Sequence, residues 1–318
     1  MTPTISGAVE GLKTSILGEQ PADPRHRFFF DRELRILGAL IRLLLAESAS
    51  PTLTDLMALA VHRDVLRERL ASPRHASLRL ELRDFLVADE ADAAQMLSET
   101  QTRLAPFVDP LVSGQVARSD FTITDILRRP SLVIVGAELY LRQRGEIAAS
   151  LFVNRLSAEL STRYGASRGA PVVMLLDEAP VLARRIDLAR LLATSRGARA
   201  GVVLAAQNVT QFGDETEQST MFDACDTMVL LPGASKASIG MFQSRLGARQ
   251  VRRQSTSREF GKRHGSVSIS GETVDMLGNR ELLDPPFGQF PAFLHSRSDG
   301  IGPVAIELDR PTVNSWDR

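Results

Sequence analysis

The chain has 318 residues, 43% hydrophobic and 24% charged, which is typical of one large or two modest globular domains. Its 38 basic and 38 acidic residues balance, so the net charge does not favour nucleic-acid binding by the molecule as a whole. The single cysteine, Cys225, excludes a disulfide or a cysteine zinc site within one chain and fits a reducing compartment, and no apolar run reaches the ~18 residues of a membrane span.

Residues 28–118 carry the spacing of helices. Apolar residues recur three and four positions apart in the first part of this region, at Leu34, Leu37, Leu40, Ile41, Leu44 and Leu45. Pro51 ends that helix, and further amphipathic stretches follow at 75–88 and 90–105. We predict a helical region without strands.

After Pro130 the apolar residues form short β-branched runs, which are typical of buried strands. We predict strands near 131–136, 171–176, 201–206 and 227–231, separated by helices near 145–164, 184–195 and 235–246. Strands that alternate with helices form parallel sheets covered on both faces, so this region predicts an α/β fold. Within 249–270 the chain is polar and basic and predicts a loop or ribbon, either as solvated surface or as a nucleic-acid contact. Two more strands are expected within 288–308.

The strongest chemical signal is Asp177-Glu178, which directly follows the apolar run Val172–Leu176. The carboxyl ends of parallel strands form the ligand-binding edge of a sheet. Asp177 would hold Mg²⁺ there, directly or through water, and Glu178 would polarise the water that attacks a γ-phosphate. An ordinary strand followed by an acidic helix N-cap fits the same residues.

Two further residues follow in an order that suits nucleotide chemistry. Arg196 could reach a neighbouring subunit's nucleotide as an arginine finger, because its planar guanidinium binds phosphate oxygens bidentately. Gln207 ends the next apolar run and could sense a γ-phosphate through its amide. The alternatives are a cation at a helix C-terminus for Arg196 and a loop amide for Gln207.

The run LLDEAPVLARRIDLARLLATSRGARAGVVLAAQNVTQFGDE resembles the motor core of type IV coupling proteins, the TraG/TraD family of conjugative DNA-transfer ATPases related to FtsK and HerA. That family's pattern is Asp-Glu, a helix, an Arg-x-x-Gly-type turn, a strand and Gln-x-x-x-Gln, which Gln207 and Gln211 match. Other segments resemble the borders of the family's all-α domain and the end of its motor, at 29–35, 107–110, 119–121, 244–247 and 279–284.

For the fold, the resemblance implies an α/β protein with an incomplete parallel sheet of the RecA-like P-loop NTPase type and an inserted all-α domain. It divides the chain into an N-terminal remnant (1–27), the all-α domain (28–118) and part of the motor domain (119–318).

For function, the resemblance implies a motor that uses ATP and Mg²⁺ to translocate DNA in conjugation or type IV secretion. Asp177 would bind the metal, Glu178 and Gln207 would act in catalysis, and Arg196 would act in trans. The implied partners are DNA, relaxosome or secretion proteins and further copies in a ring, a hexamer, at the cytoplasmic face of the bacterial inner membrane.

The chain departs from the family at the Walker A loop, which should precede the all-α domain. Gly7–Thr14 fits only in part, because Leu12 stands where a glycine should precede Lys13. Lys236 follows a late strand and is no better a candidate. We therefore expect a fragment, a split-gene product or a degenerate homologue. The alternative is a non-catalytic module that binds partners or DNA and retains the ATPase fold without a working nucleotide site.

These interpretations lead to two expectations about the structure and one about activity. Asp177, Glu178 and Gln207 should converge at one edge of the sheet, and Arg196 should point outward from that edge. The sheet should expose an apolar edge beside Val172–Leu176 or the following strand. The chain alone should neither bind ATP with useful affinity nor hydrolyse it, because a P-loop supplies most of the phosphate contacts.

Overall fold

The computed structural model describes residues 5–48, 50–136, 142–165, 170–257, 266–275, 291–296 and 298–307. The chain divides into two compact units, residues 1–205 and 206–318. Among the helices of the described residues, none is both long and apolar enough to cross a membrane.

The first unit is mainly helical. The helices that precede its strands are α1 (Ile5–Leu17), α2 (Pro24–Glu47), α3 (Leu53–Val61), α4 (Arg63–Leu70), α5 (Ala76–Glu81), α6 (Arg83–Val87), α7 (Glu90–Met96), α8 (Ser98–Leu104), α9 (Pro110–Val116), α10 (Ile123–Arg128) and α11 (Arg142–Ser161). Within the described part of 28–118 every regular element is helical, as predicted.

Helix α2 organises the core of this unit. Asp23 caps its N-terminus by accepting the N–H of Arg25, and Pro24 occupies the first turn, where a missing N–H is harmless. Its inward face consists of fully buried aliphatic residues at helical spacing, among them Leu37, Leu40 and Leu43. Burial of this stripe, rather than helix propensity alone, stabilises the helix.

Helix α1 belongs to the same core. Val9, Ile16 and Leu17 are buried with the residues of α2, and α1 packs against both α2 and α11. The assignment of residues 1–27 as an N-terminal remnant stays a prediction, and within it the described residues 5–17 form a helix of this core. The domain boundaries at residues 27 and 118 stay predictions.

The strands of the first unit are β1 (Val172–Leu176) and β2 (Ala200–Leu204), which pair in parallel with Val172 opposite Ala200 and Leu176 opposite Leu204. Between them lie α12 (Pro180–Ala183) and α13 (Leu188–Ser195). Met174 and Leu176 face the packed interior, whereas Val173 and Leu175 on the opposite face are 75% and 69% exposed.

The predicted strand at 131–136 is wrong. These residues have no strand pairing, and Leu132 and Ile134 are 86% and 82% exposed. The apolar, β-branched composition suits a strand, but a strand forms only where a neighbour takes up its backbone hydrogen bonds. Within the described part of the chain, β1 pairs with β2 alone.

The second unit contains α14 (Glu215–Ala224), β3 (Thr227–Leu230), α15 (Lys236–Leu246), β4 (Ala248–Ser257), β5 (Ser266–Asp275), β6 (Pro291–Ser296) and β7 (Ile301–Glu307). The prediction that the strand near 227–231 joins a mainly parallel sheet is wrong for the described residues, because β3 pairs antiparallel with β6 and β6 with β7. The late strands expected within 288–308 are β6 and β7.

The basic segment predicted as a loop or ribbon is a ribbon. Strands β4 and β5 pair antiparallel over ten residues each, from Ala248 opposite Asp275 to Ser257 opposite Ser266. A separate small core in this unit joins β3, α15 and β6 through Met228, Ile239 and Phe293.

Candidate functional site

The carboxylates predicted to carry the chemistry lie in a turn at the carboxyl end of β1. Leu176 accepts the N–H of Ala205 at 3.0 Å, and Ala179 donates its N–H to the carbonyl of Ala205 at 2.8 Å. Both bonds tie the chain on either side of the turn to the residue that follows β2. Asp177 and Glu178 therefore protrude from a backbone fixed at both ends, at the sheet edge where parallel α/β proteins bind ligands.

Glu178 has an unusual backbone. Its φ angle is +52°, in the left-handed region that residues other than glycine rarely adopt. Asp177 Oδ1 accepts the N–H of Glu178 at 3.0 Å, and the Glu178 carbonyl accepts the N–H of Val181 at 3.0 Å. Local strain of this kind typically costs on the order of 1–3 kcal/mol and concentrates at functional sites. It places Glu178 in a defined position beside Asp177.

The donor set of this turn fits Mg²⁺. The metal takes carboxylate and phosphate oxygens and keeps several waters, so one or two protein carboxylates suffice. Asp177 is exposed, and only one of its two carboxylate oxygens accepts a backbone N–H. No cluster of three or more metal-binding side chains occurs among the described residues. Asp177, with Glu178 adjacent, would therefore hold Mg²⁺ together with the phosphates that it accompanies.

Arg196 does not lie where the sequence predicted. It is exposed and begins the turn before β2, whereas Asp177 follows the end of β1. Since the two strands are parallel and in register, Arg196 lies at the opposite edge of the sheet pair from Asp177. Helix α13 runs antiparallel to the strands, and sequence spacing alone does not reveal at which edge its last turn finishes.

The turn at Arg196 is held by a different part of the chain. Gly165 donates its N–H to the carbonyl of Gly197 at 3.1 Å, and a side chain at position 197 would meet the ring of Tyr164 at 2.3 Å. Arg199 closes the turn with a left-handed φ of +58°. Gly197 thus allows the close approach that shapes the backbone beside Arg196.

Gln207 belongs to the second unit, two residues after the Ala205 that fixes the carboxylate turn. Its convergence with Asp177 and Glu178 stays a prediction. The segment after it is well anchored: Asn208 donates its N–H to Gln211 Oε1 at 3.0 Å and accepts the hydroxyl of Ser235 at 3.0 Å. Gln211, the second glutamine of the predicted pair, therefore caps the N-terminus of the short helical turn at 209–212.

The partial phosphate-loop motif at Gly7–Thr14 is not a loop. It lies within α1, where Lys13 is buried and pairs with Glu10 at 2.7 Å. Backbone N–H groups inside a helix bond to carbonyls four residues earlier and cannot wrap a phosphate. That this motif does not work as a P-loop stays a prediction, which its helical backbone favours. Lys236 is the first residue of α15.

Sequence reasoning missed the backbone features of the site. The left-handed φ of Glu178 and the bonds of Leu176 and Ala179 to Ala205 have no signature in residue type, since a glutamate predicts an ordinary φ. The only available signal was the short distance along the chain from the end of β1 to Pro180, which starts α12.

A family profile described as type IV secretory system conjugative DNA transfer matches residues 29–286, more than half of the chain. No curated protein sequence matches significantly.

Several solved structures share the fold. The unbound bacterial conjugative coupling protein TrwBdeltaN70 superposes with a TM-score of 0.71 at 15% identity, covering 95% of this chain and 67% of that one. The plasmid coupling protein TrwB in complex with the non-hydrolysable ATP analogue ADPNP gives 0.68 at 15% identity, with 96% and 68% coverage. TrwB in complex with ADP and Mg²⁺ gives 0.69 at 16% identity, with 96% and 68% coverage. The α/β RecA-like fold predicted from the sequence, incomplete in this chain, is therefore confirmed.

Proposed function

Because the chain belongs to the type IV secretory system conjugative DNA transfer family, we propose that it is a motor ATPase, or part of one, that couples ATP hydrolysis to DNA translocation. The observation that carries this proposal is the fixed Asp177–Glu178 turn at the carboxyl end of a parallel strand. TrwB, which has the same fold, has been solved in complex with an ATP analogue and with ADP and Mg²⁺, and these complexes support nucleotide binding by this fold.

Each residue has a distinct proposed role. Asp177 would hold Mg²⁺, and the metal would neutralise negative charge on the nucleotide phosphates. Glu178 polarises the attacking water, and its fixed backbone keeps the carboxylate in one place relative to the metal. Gln207 reports the presence of the γ-phosphate through its amide.

Arg196 acts on the nucleotide of a neighbouring subunit. Its placement at the opposite edge of β1–β2 supports this role, since five-residue strands at ~3.3 Å per residue separate it from Asp177 by roughly 15 Å. A contact with the nucleotide of its own chain would have to span that length. The proposed assembly is a homo-oligomeric ring, a hexamer, that contacts DNA and relaxosome or secretion proteins at the cytoplasmic face of the bacterial inner membrane.

A non-catalytic, partner- or DNA-binding role is the second candidate, and the helical state of Gly7–Thr14 favours it for this chain alone. Without a phosphate loop, two carboxylates repel an anionic nucleotide unless Mg²⁺ bridges them. We therefore expect no useful ATP affinity from the chain by itself. Adding a strand–loop–helix segment that carries a glycine-rich phosphate loop, covalently or as a second polypeptide, should restore binding and hydrolysis.

Nucleotide titration and phosphate release test both candidates. In the supplemented protein, Glu178→Gln should abolish turnover and leave ATP binding intact, whereas Glu90→Gln, an equivalent change on the exposed surface of α7, should alter neither. Turnover by the unsupplemented chain that disappears in Lys13→Ala would show that Gly7–Thr14 works as a phosphate loop. Absence of both ATP binding and turnover in every preparation, supplemented or not, would select the non-catalytic role.

A mixing experiment tests the role of Arg196. In the supplemented protein, Arg196→Ala and Glu178→Gln should each be inactive when present alone. Mixed rings should regain part of the activity, because a Glu178→Gln subunit still supplies Arg196 to a neighbour with an intact Glu178. If no activity returns although the mixed rings form, Arg196 does not act in trans.

A further inference from the structure

A cavity of about 580 Å³ lies in the helical part of the first unit, between the end of α1, the start of α2 and helix α8. Leu17, Phe29 and Phe30 contribute apolar surface to it. This volume lies within the ~300–1,000 Å³ of pockets that bind small molecules or side chains. None of the residues assigned to the motor lines this cavity.

The charges around the cavity are mainly negative. Glu19, Glu33 and Glu99 line it, against Arg103 and His26. Arg103 already lies 3.2 Å from the Glu99 carboxylate, which offsets its charge. The carboxylates of Glu19 and Glu33 therefore leave the cavity negative, and it should attract cations and repel the phosphates of DNA or nucleotides.

Glu33 is the least exposed of these acids. The residue is 5% exposed, and its Oε1 accepts the N–H of Thr100 at 2.6 Å. Burial raises the pKa of Glu33, and Thr100 and Arg103 only partly oppose that rise. Within the part of the chain that the structure describes, no cationic side chain forms an ion pair with Glu33. Buried carboxylates are usually paired, whereas the positive charge near Glu33 is that of Arg103, which already pairs with Glu99.

Aromatic rings border the cavity. Phe29 lines it, and Phe28 packs edge-on against Phe29 at a centroid distance of 5.6 Å while remaining 66% exposed. The Arg32 guanidinium already lies 5.3 Å from the centre of the Phe29 ring. The aromatic surface beside the acids therefore suits a guanidinium or an ammonium group.

We propose that this cavity binds an arginine or lysine side chain of a partner polypeptide, with the cation beside Glu33 and the neighbouring partner residues over Phe28. The side chain's alkyl stem matches the apolar wall, and its charge supplies the missing counter-ion. A single metal ion fits poorly, because the described residues hold no cluster of three metal-binding groups. The exposed Phe28 extends the apolar surface beyond the cavity, which favours a polypeptide over a free polyamine. The proposal does not depend on ATP hydrolysis or on Asp177.

The test measures fluorescence anisotropy of a labelled hexa-arginine peptide on the full chain, with the isosteric neutral hexa-citrulline peptide as the matched probe. Spermine is the competitor that represents a free polyamine. Glu33→Gln retains the shape of the side chain and an acceptor for Thr100. Glu90→Gln removes an equivalent charge from the surface of α7, outside the cavity. Phe28→Ala probes the rim at a position too exposed to control folding.

We expect Glu33→Gln to weaken hexa-arginine binding by on the order of tenfold and Phe28→Ala by about threefold, with Glu90→Gln near wild type. The citrulline peptide should bind at least about tenfold more weakly than the arginine peptide. Equal losses in Glu33→Gln and Glu90→Gln, or equal binding of the two peptides, would overturn the proposal. Competition by spermine together with no effect of Phe28→Ala would assign the cavity to a polyamine and also overturn it. Thermal unfolding of each variant confirms that it is folded.

Discussion

The helical core around α2 and the strand pair β1–β2 belong to one unit of the chain but bury their apolar residues differently. Leu37, Leu40 and Leu43 are fully enclosed by other helices. In the strand pair one face is packed, and Val173 and Leu175 on the other face are open. The helices bury this apolar face of α2 against one another. The strand pair has one apolar face, with Val173 and Leu175, that none of the described residues covers. The proposed catalytic residues Asp177 and Glu178 belong to the less completely covered of the two.

The largest loss of stability is expected for a substitution in the helical core. Leu40→Ala should destabilise the protein by about 2–5 kcal/mol, because it removes buried methyl groups and leaves a cavity in a closely packed core. Val173→Ala, on the open sheet face, should change stability by less than about 0.5 kcal/mol. Urea unfolding monitored by circular dichroism gives both values. Equal losses in the two variants would mean that the open face is covered in solution.

A smaller effect is expected where α1 meets the turn after α12. The buried Arg185 donates from Nη1 to the carbonyls of Ser15 and Ile16, at 2.7 and 2.8 Å, and so satisfies the C-terminal carbonyls of α1. Arg185→Ala should cost about 1.5–3 kcal/mol, the usual worth of charge-assisted bonds. Its exposed neighbour provides the control, Arg184→Ala, which should be nearly neutral. A near-wild-type unfolding curve for Arg185→Ala would contradict this role.

The stability difference between Glu33→Gln and the wild-type protein should depend on pH. Burial raises the folded-state pKa of Glu33 above its ordinary value of 4.5, so the folded protein holds the proton more tightly than the unfolded chain. That contribution is present below pH 4.5 and is lost as pH rises through the raised pKa. The variant should therefore match wild type in acid and be more stable at neutral pH, by about 2–4 °C in Tm for each kcal/mol. A stability difference that does not vary with pH would show that ionisation of Glu33 is not involved.

The smallest stability effect is expected on the sheet face itself. Val173→Lys and Leu175→Lys should leave the free energy of unfolding within about 0.5 kcal/mol of wild type. They should reduce self-association, because exposed apolar strands favour pairing with other chains and lysine opposes it. Light scattering at increasing protein concentration measures this. Unchanged association would locate the contact elsewhere, and the same substitution at the exposed Leu80 of α5 serves as control.

Most helices could be predicted from the sequence, because helical periodicity depends on residues close together in the chain. Every regular element described within 28–118 is a helix, and the predicted helix near 235–246 begins beside the Ser235 cap. Strand pairing was less predictable, because it depends on a partner distant in sequence. The runs 131–136 and 227–231 have the same apolar character, yet the first has no strand pairing and the second contains a strand in an antiparallel sheet.

Residue types at short spacing are enough to predict the family pattern, the helical region and the position of Asp177 and Glu178 directly after a strand. The folded chain was needed to show that Ala205 fixes the turn, that Glu178 takes a left-handed φ and that Arg196 lies at the far edge of the strands. It was also needed to show that Gly7–Thr14 is helical and that Glu33 is enclosed in an acidic cavity. These features arise from the packing of segments far apart in sequence, and packing sets burial, backbone strain and the surroundings of each charge.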